Sequence, residues 1–289
     1  MKSRITSYLS LTKPRVVFLF ALTGITAMVL EGFARRQPEN MCLVLLAIIL
    51  TAASANSLNQ YLERDLDAVM NRTRHKRPLP RGLLTPRSAL VFGITLGIGA
   101  VVILTFLNHL LSAALAMVTI LFYVVVYTLW LKPRTPYNIV IGGASGAMAP
   151  LIGWTAATDH LTTLPVLLFL IIFLWTPPHF WALALWAKED YQTAKIPMLP
   201  VVCGETETRI QILGYTFLLF AVTLLLVPLH YCGWVYGSLA IILGIGFIWN
   251  STSTWWVKTA QAAYNLFRYS TFYLLTLFIG MMIDALFLK

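Results

Sequence analysis

Nine stretches of roughly 20 mostly apolar residues make up most of this 289-residue chain. They fall near 16–31, 41–62, 88–107, 110–131, 138–157, 163–187, 210–229, 233–250 and 269–288. About 20 consecutive apolar residues let an α-helix cross the hydrocarbon core of a bilayer. The composition agrees. Hydrophobic residues are 58% and charged residues 11%, against roughly 25% charged in a soluble domain. The sequence therefore predicts an all-α, polytopic integral membrane protein with nine transmembrane helices. The connections leave too little chain for a soluble domain, so residues 1–289 are expected to form one membrane-embedded domain.

The net charge of +10 raises the question of nucleic acid, and its distribution answers it. With nine spans and the N-terminus inside, every lysine and arginine except Arg35, Arg36 and Lys289 falls on one side. These are Lys2, Arg4, Lys13, Arg15, the basic residues of the 63–87 loop, Lys132, Arg134, Lys188, Lys195, Arg209, Lys258 and Arg268. Such asymmetry is the positive-inside rule. It puts the N-terminus in the cytoplasm and the chain in the inner (cytoplasmic) membrane, with lipid rather than nucleic acid around it. The inner connections are then 63–87, 132–137, 188–209 and 251–268, and almost every unusual polar residue lies in or beside them. The basic N-region and Gly32-Phe33-Ala34 resemble a cleavable signal, but Lys13 and Arg15 look useful in place, and the segment is expected to be retained. Cys42, Cys203 and Cys232 show no metal spacing and read as small apolar filler.

The second apolar run ends in acids: Asn59-Gln-Tyr-Leu-Glu63-Arg-Asp65-Leu-Asp67. Asn59, Glu63 and Asp67 are four apart and share one helix face, while Asp65 points elsewhere and suits Arg72 or a loop amide as well as it suits a metal. A solvated helix end would explain acids alone. Asn59 and Glu63, however, still follow an unbroken apolar run, and ionisable groups at membrane depth are functional by default. Arg72, Arg74, Lys76, Arg77 and Arg81 come next. Carboxylates suit a hard cation and arginines suit phosphate oxygens, so stripe and cluster together fit a magnesium–diphosphate group. Arg74 and Lys76 also suit a purely topogenic role. Lys13, Arg15 and Lys132 stand at inner helix ends, where a cation can neutralise a leaving diphosphate or simply anchor at the interface. Asp190, in Lys188-Glu189-Asp190-Tyr191, supplies a further carboxylate beside Lys195 on the same face, four spans after the first cluster.

Two features suggest helices packed round a cavity. Gly142-Gly-Ala-Ser-Gly146-Ala-Met-Ala-Pro150 is a small-residue face at four-residue spacing, and Gly93 and Gly97 repeat the spacing. Helix packing is the favoured explanation, with room for a bulky ligand as the alternative. Thr176-Pro177-Pro178-His179 is expected to break or kink the sixth span, which membranes tolerate only beside protein or a cavity. His179 is either a structural hydrogen bonder or an axial ligand, proton carrier or substrate anchor.

At these residues the chain resembles the UbiA-type membrane prenyltransferase superfamily, and within it the branch that farnesylates haem. The similarity runs through Leu11-Thr-Lys-Pro-Arg15, Asn59 to Thr73 with Arg77-Pro-Leu-Pro80, Tyr127-Thr128 through Lys132 to Thr135-Pro-Tyr-Asn138-Ile-Val-Ile-Gly-Gly143, Trp175-Thr-Pro-Pro-His-Phe-Trp181, and Asp190-Tyr191 to Ile196-Pro-Met-Leu-Pro200. Two positions depart from the superfamily pattern: Glu63 replaces the usual Asp, and Ala194 stands where a second Asp is usual.

The resemblance implies helices around a central cavity opening to the cytoplasmic side. It also implies transfer of a farnesyl group from farnesyl diphosphate to a vinyl group of haem B, with addition of water, to give haem O and diphosphate. Mg2+ would be held by Asn59, Glu63, Asp67 and Asp190. Lys13, Arg15, Arg72, Arg77, Lys132 and Lys195 would contact diphosphate, and His179 would orient haem. Haem O would pass to a haem A synthase or a terminal oxidase. The same chemistry on an aromatic acid for quinone synthesis is the nearest alternative. A non-catalytic haem or lipid transporter is a more distant one, since a broken helix also marks transporters.

Overall fold

The computed structural model describes residues 4–287, so Lys2 and Lys289, counted above in the charge asymmetry, lie outside the described residues. Among the described residues nine helices are long and apolar enough to cross a membrane. They are α1 (Pro14–Glu31), α2 (Pro38–Leu62), α3 (Pro86–Phe106), α4 (Leu110–Leu131), α5 (Asn138–Thr158), α6 (Thr163–Trp186), α7 (Gly204–Leu225), α8 (Trp234–Val257) and α9 (Ala260–Phe287).

The first six spans sit where hydropathy puts them. The last three differ: α7 starts at Gly204, α8 continues to Val257 and α9 starts at Ala260. The expected 251–268 connection shrinks to Lys258 and Thr259, with Lys258 in the left-handed region at φ 54°. The added turns, such as Gly204-Glu-Thr-Glu-Thr-Arg209, are polar and still helical. A hydropathy window stops where apolarity stops, not where the helix does. Arg209 and Arg268 therefore lie on helices.

The helices close into a ring. α1 packs on α2, α2 on α3 and α4, α4 on α5, α5 on α6, and then α6, α7, α8 and α9 in turn, with α9 returning to α1. Along their most apolar stretches α5 and α6 are each 67% buried, against 28% for α3. The first two form the inner wall, and α3 turns Val91, Ile94, Ile98 and Val102 outward. Close approach depends on small residues. A Cβ on Gly93 would meet Leu58 Cδ2 at 2.8 Å, and Ser54 Oγ donates to the Gly93 carbonyl at 2.8 Å, fastening α2 to α3.

The break at membrane depth is not where the prolines suggested. α6 runs helical through Pro177 and Pro178. Both residues are buried, and α6 packs on α5, α7 and α9, so packing holds what the missing donors weaken. The interruption falls in α5 instead, between its halves Asn138–Gly146 and Ala149–Thr158. Pro150 cannot donate to the Gly146 carbonyl, and Ala147 and Met148 tighten to three-residue turns onto Ala144 and Ser145. A second irregularity was not anticipated: residues Phe122–Leu131 of α4 wind as a π-helix. The wider turn is seen in the bond from the Lys132 amide to the Tyr127 carbonyl, at 2.9 Å.

The glycines of α5 serve two ends. A Cβ on Gly142 would run into the Tyr127 ring of α4, whereas one on Gly146 would meet nothing within 4 Å. Gly142→Val should therefore destabilise the folded protein by about 1–3 kcal/mol through overpacking, read as a lower melting temperature in detergent. Gly146→Ala should melt like the wild type, and equal melting of all three would refute the packing assignment.

Candidate active site

The acid stripe survives a pause in the helix. α2 ends at Leu62, Glu63 takes a near-flat turn (φ −91°, ψ 8°), and a short helix Arg64–Val69 follows. The i→i+4 bonds nonetheless continue, from the Glu63 amide to the Asn59 carbonyl at 2.9 Å and from the Asp67 amide to the Glu63 carbonyl at 2.8 Å. Asn59, Glu63 and Asp67 thus share one face and are 2%, 4% and 2% exposed. Asp65 is on the surface, 3.8 Å from its neighbour Arg64, and does not pair with Arg72.

Three cations from three segments meet this face. Lys13 Nζ donates to Asn59 Oδ1 at 2.9 Å. Lys132 pairs with Glu63 through a short hydrogen bond. Arg77 pairs closely with Asp67 and lies 3.7 Å from Glu63. The local folding that delivers each one is visible. The helix Arg4–Thr12 ends against Gln60, whose amide donates to the Ser10 and Leu11 carbonyls at 3.1 and 2.9 Å. Lys13 then turns into the left-handed region at φ 53°, a costly conformation for a side chain with Cβ. Thr128 accepts from Asn59 Nδ2 at 3.1 Å and itself donates to the Tyr123 carbonyl at 2.8 Å, so the π-helical turn of α4 is fitted to the stripe. Thr73 donates to the Asp67 carbonyl at 2.9 Å and holds the loop that carries Arg77.

The electrostatics divide the two acids. At Glu63 burial pushes the carboxyl up, but Lys132, Lys13 and Arg77 together outweigh it and hold it below its ordinary value. At Asp67 burial wins over Arg77, with help from the Glu63 charge, and the carboxyl is raised. Burial, then the like charge of Arg77, lowers the Lys13 ammonium to about 7 despite the pull of Glu63. An arriving polyanion would favour its charged form again.

Asp190 stands at the head of the second connection, in the helix Lys188–Thr193. Its carboxylate accepts the Asn71 and Arg72 amides at 3.1 and 3.0 Å, clasping the two inner connections together. The Arg72 guanidinium lies over the Tyr191 ring at 5.8 Å and donates to its hydroxyl at 3.4 Å, with Nε unpartnered. A cavity of about 230 Å3 opens beside the cluster, lined by Glu63, Thr128, Lys132, Ala194, Lys195 and Ile196 among others. That is below the roughly 300–1,000 Å3 of a whole ligand pocket and suits a compact polar end group. Lys195 is exposed at its rim, in the left-handed region at φ 54°. Arg15 is exposed and makes no ion pair among the described residues. Arg74 and Lys76 are exposed as well. A second cavity, about 270 Å3 between α8 and α9, contains none of these residues.

His179 lies apart from the charged cluster. It is buried on α6 between Trp175 (ring centroids 4.2 Å) and Phe267 of α9 (4.5 Å), with Nδ1 2.7 Å from Ser270 Oγ. Gln60, Tyr123, Tyr127, Thr128 and Ser270 escaped the sequence reasoning as site residues. Gln60 was visible as a polar residue within an apolar run. Tyr123 and Ser270 carry no local signal.

Chemically, the cluster offers hard oxygen donors, Asn59, Glu63 and Asp67, for a divalent cation, and a ring of cations for a polyanion. Among the described residues no three His, Cys, Asp or Glu side chains converge to hold a metal on their own. Glu63 and Asp67 both face the Arg77 guanidinium and so lie close together, and Mg2+ commonly takes such carboxylates together with substrate phosphates.

Residues 17–278 match the UbiA prenyltransferase family. Protoheme IX farnesyltransferases of Brucella anthropi and Acidiphilium cryptum are 45% and 44% identical to this chain, over 98% and 96% of it and 91% and 90% of their own lengths. Among solved structures, that of a digeranylgeranylglyceryl phosphate synthase has a TM-score of 0.80 at 19% identity, covering 98% of both chains. A UbiA homologue from Archaeoglobus fulgidus, bound to GPP and Mg2+, has a TM-score of 0.68 at 18% identity, over 95% of this chain and 99% of its own. At such identities the likeness establishes the fold.

Removing one partner of a buried ion pair leaves the other uncompensated. Lys132→Met should lower stability by up to about 3–5 kcal/mol, read as thermal unfolding in detergent, whereas Arg74→Ala should change it by less than about 0.5 kcal/mol. Equal melting temperatures would show that Glu63 does not need Lys132.

Proposed function

We propose, for a chain that belongs to the UbiA prenyltransferase family, that it transfers the farnesyl group of farnesyl diphosphate to a vinyl group of haem B, adding water, to give haem O and diphosphate. The observation that carries this is the Asn59–Glu63–Asp67 stripe matched by Lys13, Lys132 and Arg77, in a chain 45% identical to a protoheme IX farnesyltransferase over 98% of its length. The whole of 1–289 acts as one membrane-embedded domain. The basic residues of the inner connections support a cytoplasmic-membrane location with the N-terminus and the site on the cytoplasmic side.

Lys13, Arg72, Arg77 and Lys132 bind the diphosphate, with Arg15 and Lys195 at the rim. Asn59, Glu63, Asp67 and Asp190 would hold Mg2+, which neutralises diphosphate charge when bound. Ion pairs then exchange: the cations turn from carboxylates to phosphate oxygens, and the freed carboxylates would be available to hold the metal. The allylic carbon–oxygen bond breaks with its electron pair going to diphosphate, and the cations take up the developing charge, each good contact contributing roughly 2–4 kcal/mol. The farnesyl cation is left among apolar and aromatic side chains that exclude water. The vinyl π-pair attacks it and forms the carbon–carbon bond. Water adds to the resulting cation next to the pyrrole and gives up a proton. His179 orients the haem from the α6–α9 side. Haem O then passes to a haem A synthase or a terminal oxidase.

The test is an assay of purified protein with haem B, farnesyl diphosphate and Mg2+, read by chromatography and mass. A product heavier by one farnesyl plus water, lost with EDTA, is expected. Asp67→Ala should reduce turnover by about 100- to 1,000-fold, the scale of one lost transition-state contact, with the helical membrane fold retained. Diphosphate release without a haem product would send the acceptor to the aromatic acids of the quinone branch. Full activity of Asp67→Ala would remove Asp67 from the site.

A further inference from the structure

The proton on His179 can be assigned from its surroundings. Ser270 Oγ has a single proton, and that hydroxyl donates to the Phe267 carbonyl of its own helix at 2.8 Å. The 2.7 Å contact between Ser270 Oγ and His179 Nδ1 must then run the other way, with Nδ1–H donating and the hydroxyl oxygen accepting. A neutral imidazole carries one ring proton. With it on Nδ1, the lone pair is on Nε2. Nε2 makes no hydrogen bond among the described residues, and unlike Trp181 Nε1 two residues on it is not sealed away from approach.

The ring is also fixed in direction. Trp175 and Phe267 lie nearly parallel to it, at 21° and 29°, and the Phe180 edge meets it at 89°. Two near-parallel rings within 4.5 Å must occupy opposite faces, so the imidazole can turn only in its own plane, and the Ser270 bond stops that turn. Ser270 is itself held, because Trp175 Nε1 donates to its carbonyl at 2.7 Å. Trp175, His179 and Ser270 form a closed loop of contacts between α6 and α9.

We propose that Ser270 is a positioning residue: it fixes the Nδ1–H tautomer of His179 and presents the Nε2 lone pair to the iron of the haem substrate. The inference rests on the reading of His179 as the haem-orienting residue. A metal-bound histidine commonly donates its other N–H to an oxygen partner, and loss of that partner typically weakens metal affinity about 10–100-fold. The bland alternative is a strut between α6 and α9 that never meets substrate.

The experiment titrates haem B into the purified full-length protein without farnesyl diphosphate. It follows iron ligation by visible absorption and by the iron–histidine stretch of the ferrous form. The wild type is expected to show a histidine-ligated haem, and His179→Ala to lose it. Ser270→Ala should weaken haem binding about 10–100-fold and shift the iron–histidine stretch, with farnesyl diphosphate affinity unchanged. Ser270→Thr, which keeps the hydroxyl acceptor, should restore both. Where Ser270→Ala does not fold, Ser270→Cys against Ser270→Thr makes the same comparison, since a thiol is a weak acceptor. An unshifted stretch and unchanged affinity in the hydroxyl-free variant overturn the role of Ser270 while leaving His179 in place. Wild-type ligation in His179→Ala overturns the haem-orienting role of His179 and the Ser270 inference with it. No haem binding by the wild type overturns the haem acceptor itself.

Discussion

Two carboxylates buried at the edge of the bilayer, Glu63 and Asp67, determine how this chain closes. An uncompensated buried charge costs several kcal/mol, so neither acid tolerates its position until cations reach it. Those cations come from the segment before α1, from the connection after α2 and from the end of α4. The N-terminal helix must dock on Gln60 before Lys13 can turn inward, and α4 must wind as it does before Lys132 can face Glu63. One electrostatic requirement thus sets the register of three segments distant in sequence. It also prepares the chemistry. Lys132 and Arg77 already face carboxylates and Lys13 faces an amide oxygen, so under the proposed function a diphosphate would meet a preorganised clamp.

Backbone irregularity supplies the rest of the shape. A regular α-helix would carry Lys132 about 100° away per residue of slippage. The π-helical stretch Phe122–Leu131 takes up one extra residue per turn, burying Tyr127, Thr128 and Leu131 on one face and bringing Lys132 to the acid stripe. Opposite it, α5 comes close enough at Gly142 that a Cβ there would strike the Tyr127 ring. Four residues later, at Gly146, the same helix loosens, and beyond it the ladder breaks before Pro150. Tight contact and release follow each other along one helix at membrane depth, where irregular backbone is sustained only inside protein.

Much of this was legible in the chain. Apolar length set nine spans, and the four-residue spacing of Asn59, Glu63 and Asp67 put them on one face even though the helix pauses at Glu63. Spacing speaks for residues on one element and says little of what approaches from another. Hence Lys13, Lys132 and Arg77 read as cations for a diphosphate, but nothing in the spacing foretells their pairing with Asn59, Glu63 and Asp67. Asp190 was read as an oxygen donor, while its engagement by the Asn71 and Arg72 amides depends on how two connections meet. The proline pair does not break α6, because helix-breaking is a local tendency that the enclosure of α6 overrides, whereas Pro150 acts beside Gly146, where no atom lies within 4 Å of an added Cβ. The π-helix has no simple sequence pattern, and Ser270 is one hydroxyl among many until α9 is set against α6.

Under the proposed function the two substrates call for opposite surroundings, and the fold offers two such surroundings apart from each other. A diphosphate needs charge and access to water for release. Lys13, Asn59, Glu63, Asp67, Arg77 and Lys132 all come from the segment before α1, the end of α2, the connection after it and the end of α4. A porphyrin needs flat apolar walls and one oriented nitrogen, and Trp175, His179, Phe267 and Ser270, which come from α6 and α9, offer aromatic rings and a hydroxyl round His179. An allylic cation formed near the first group is safe from water only if it meets the second before solvent. The halves must therefore stay in fixed relation while the chemistry proceeds. α5, one of the two most enclosed helices, packs against α4 on one side and α6 on the other. At the inner face Asp190 holds the connection of the second half against the backbone that leads from Asp67 to Arg77. A change at Asp190 would thus reach the diphosphate clamp through the position of that loop as well as through any metal it holds.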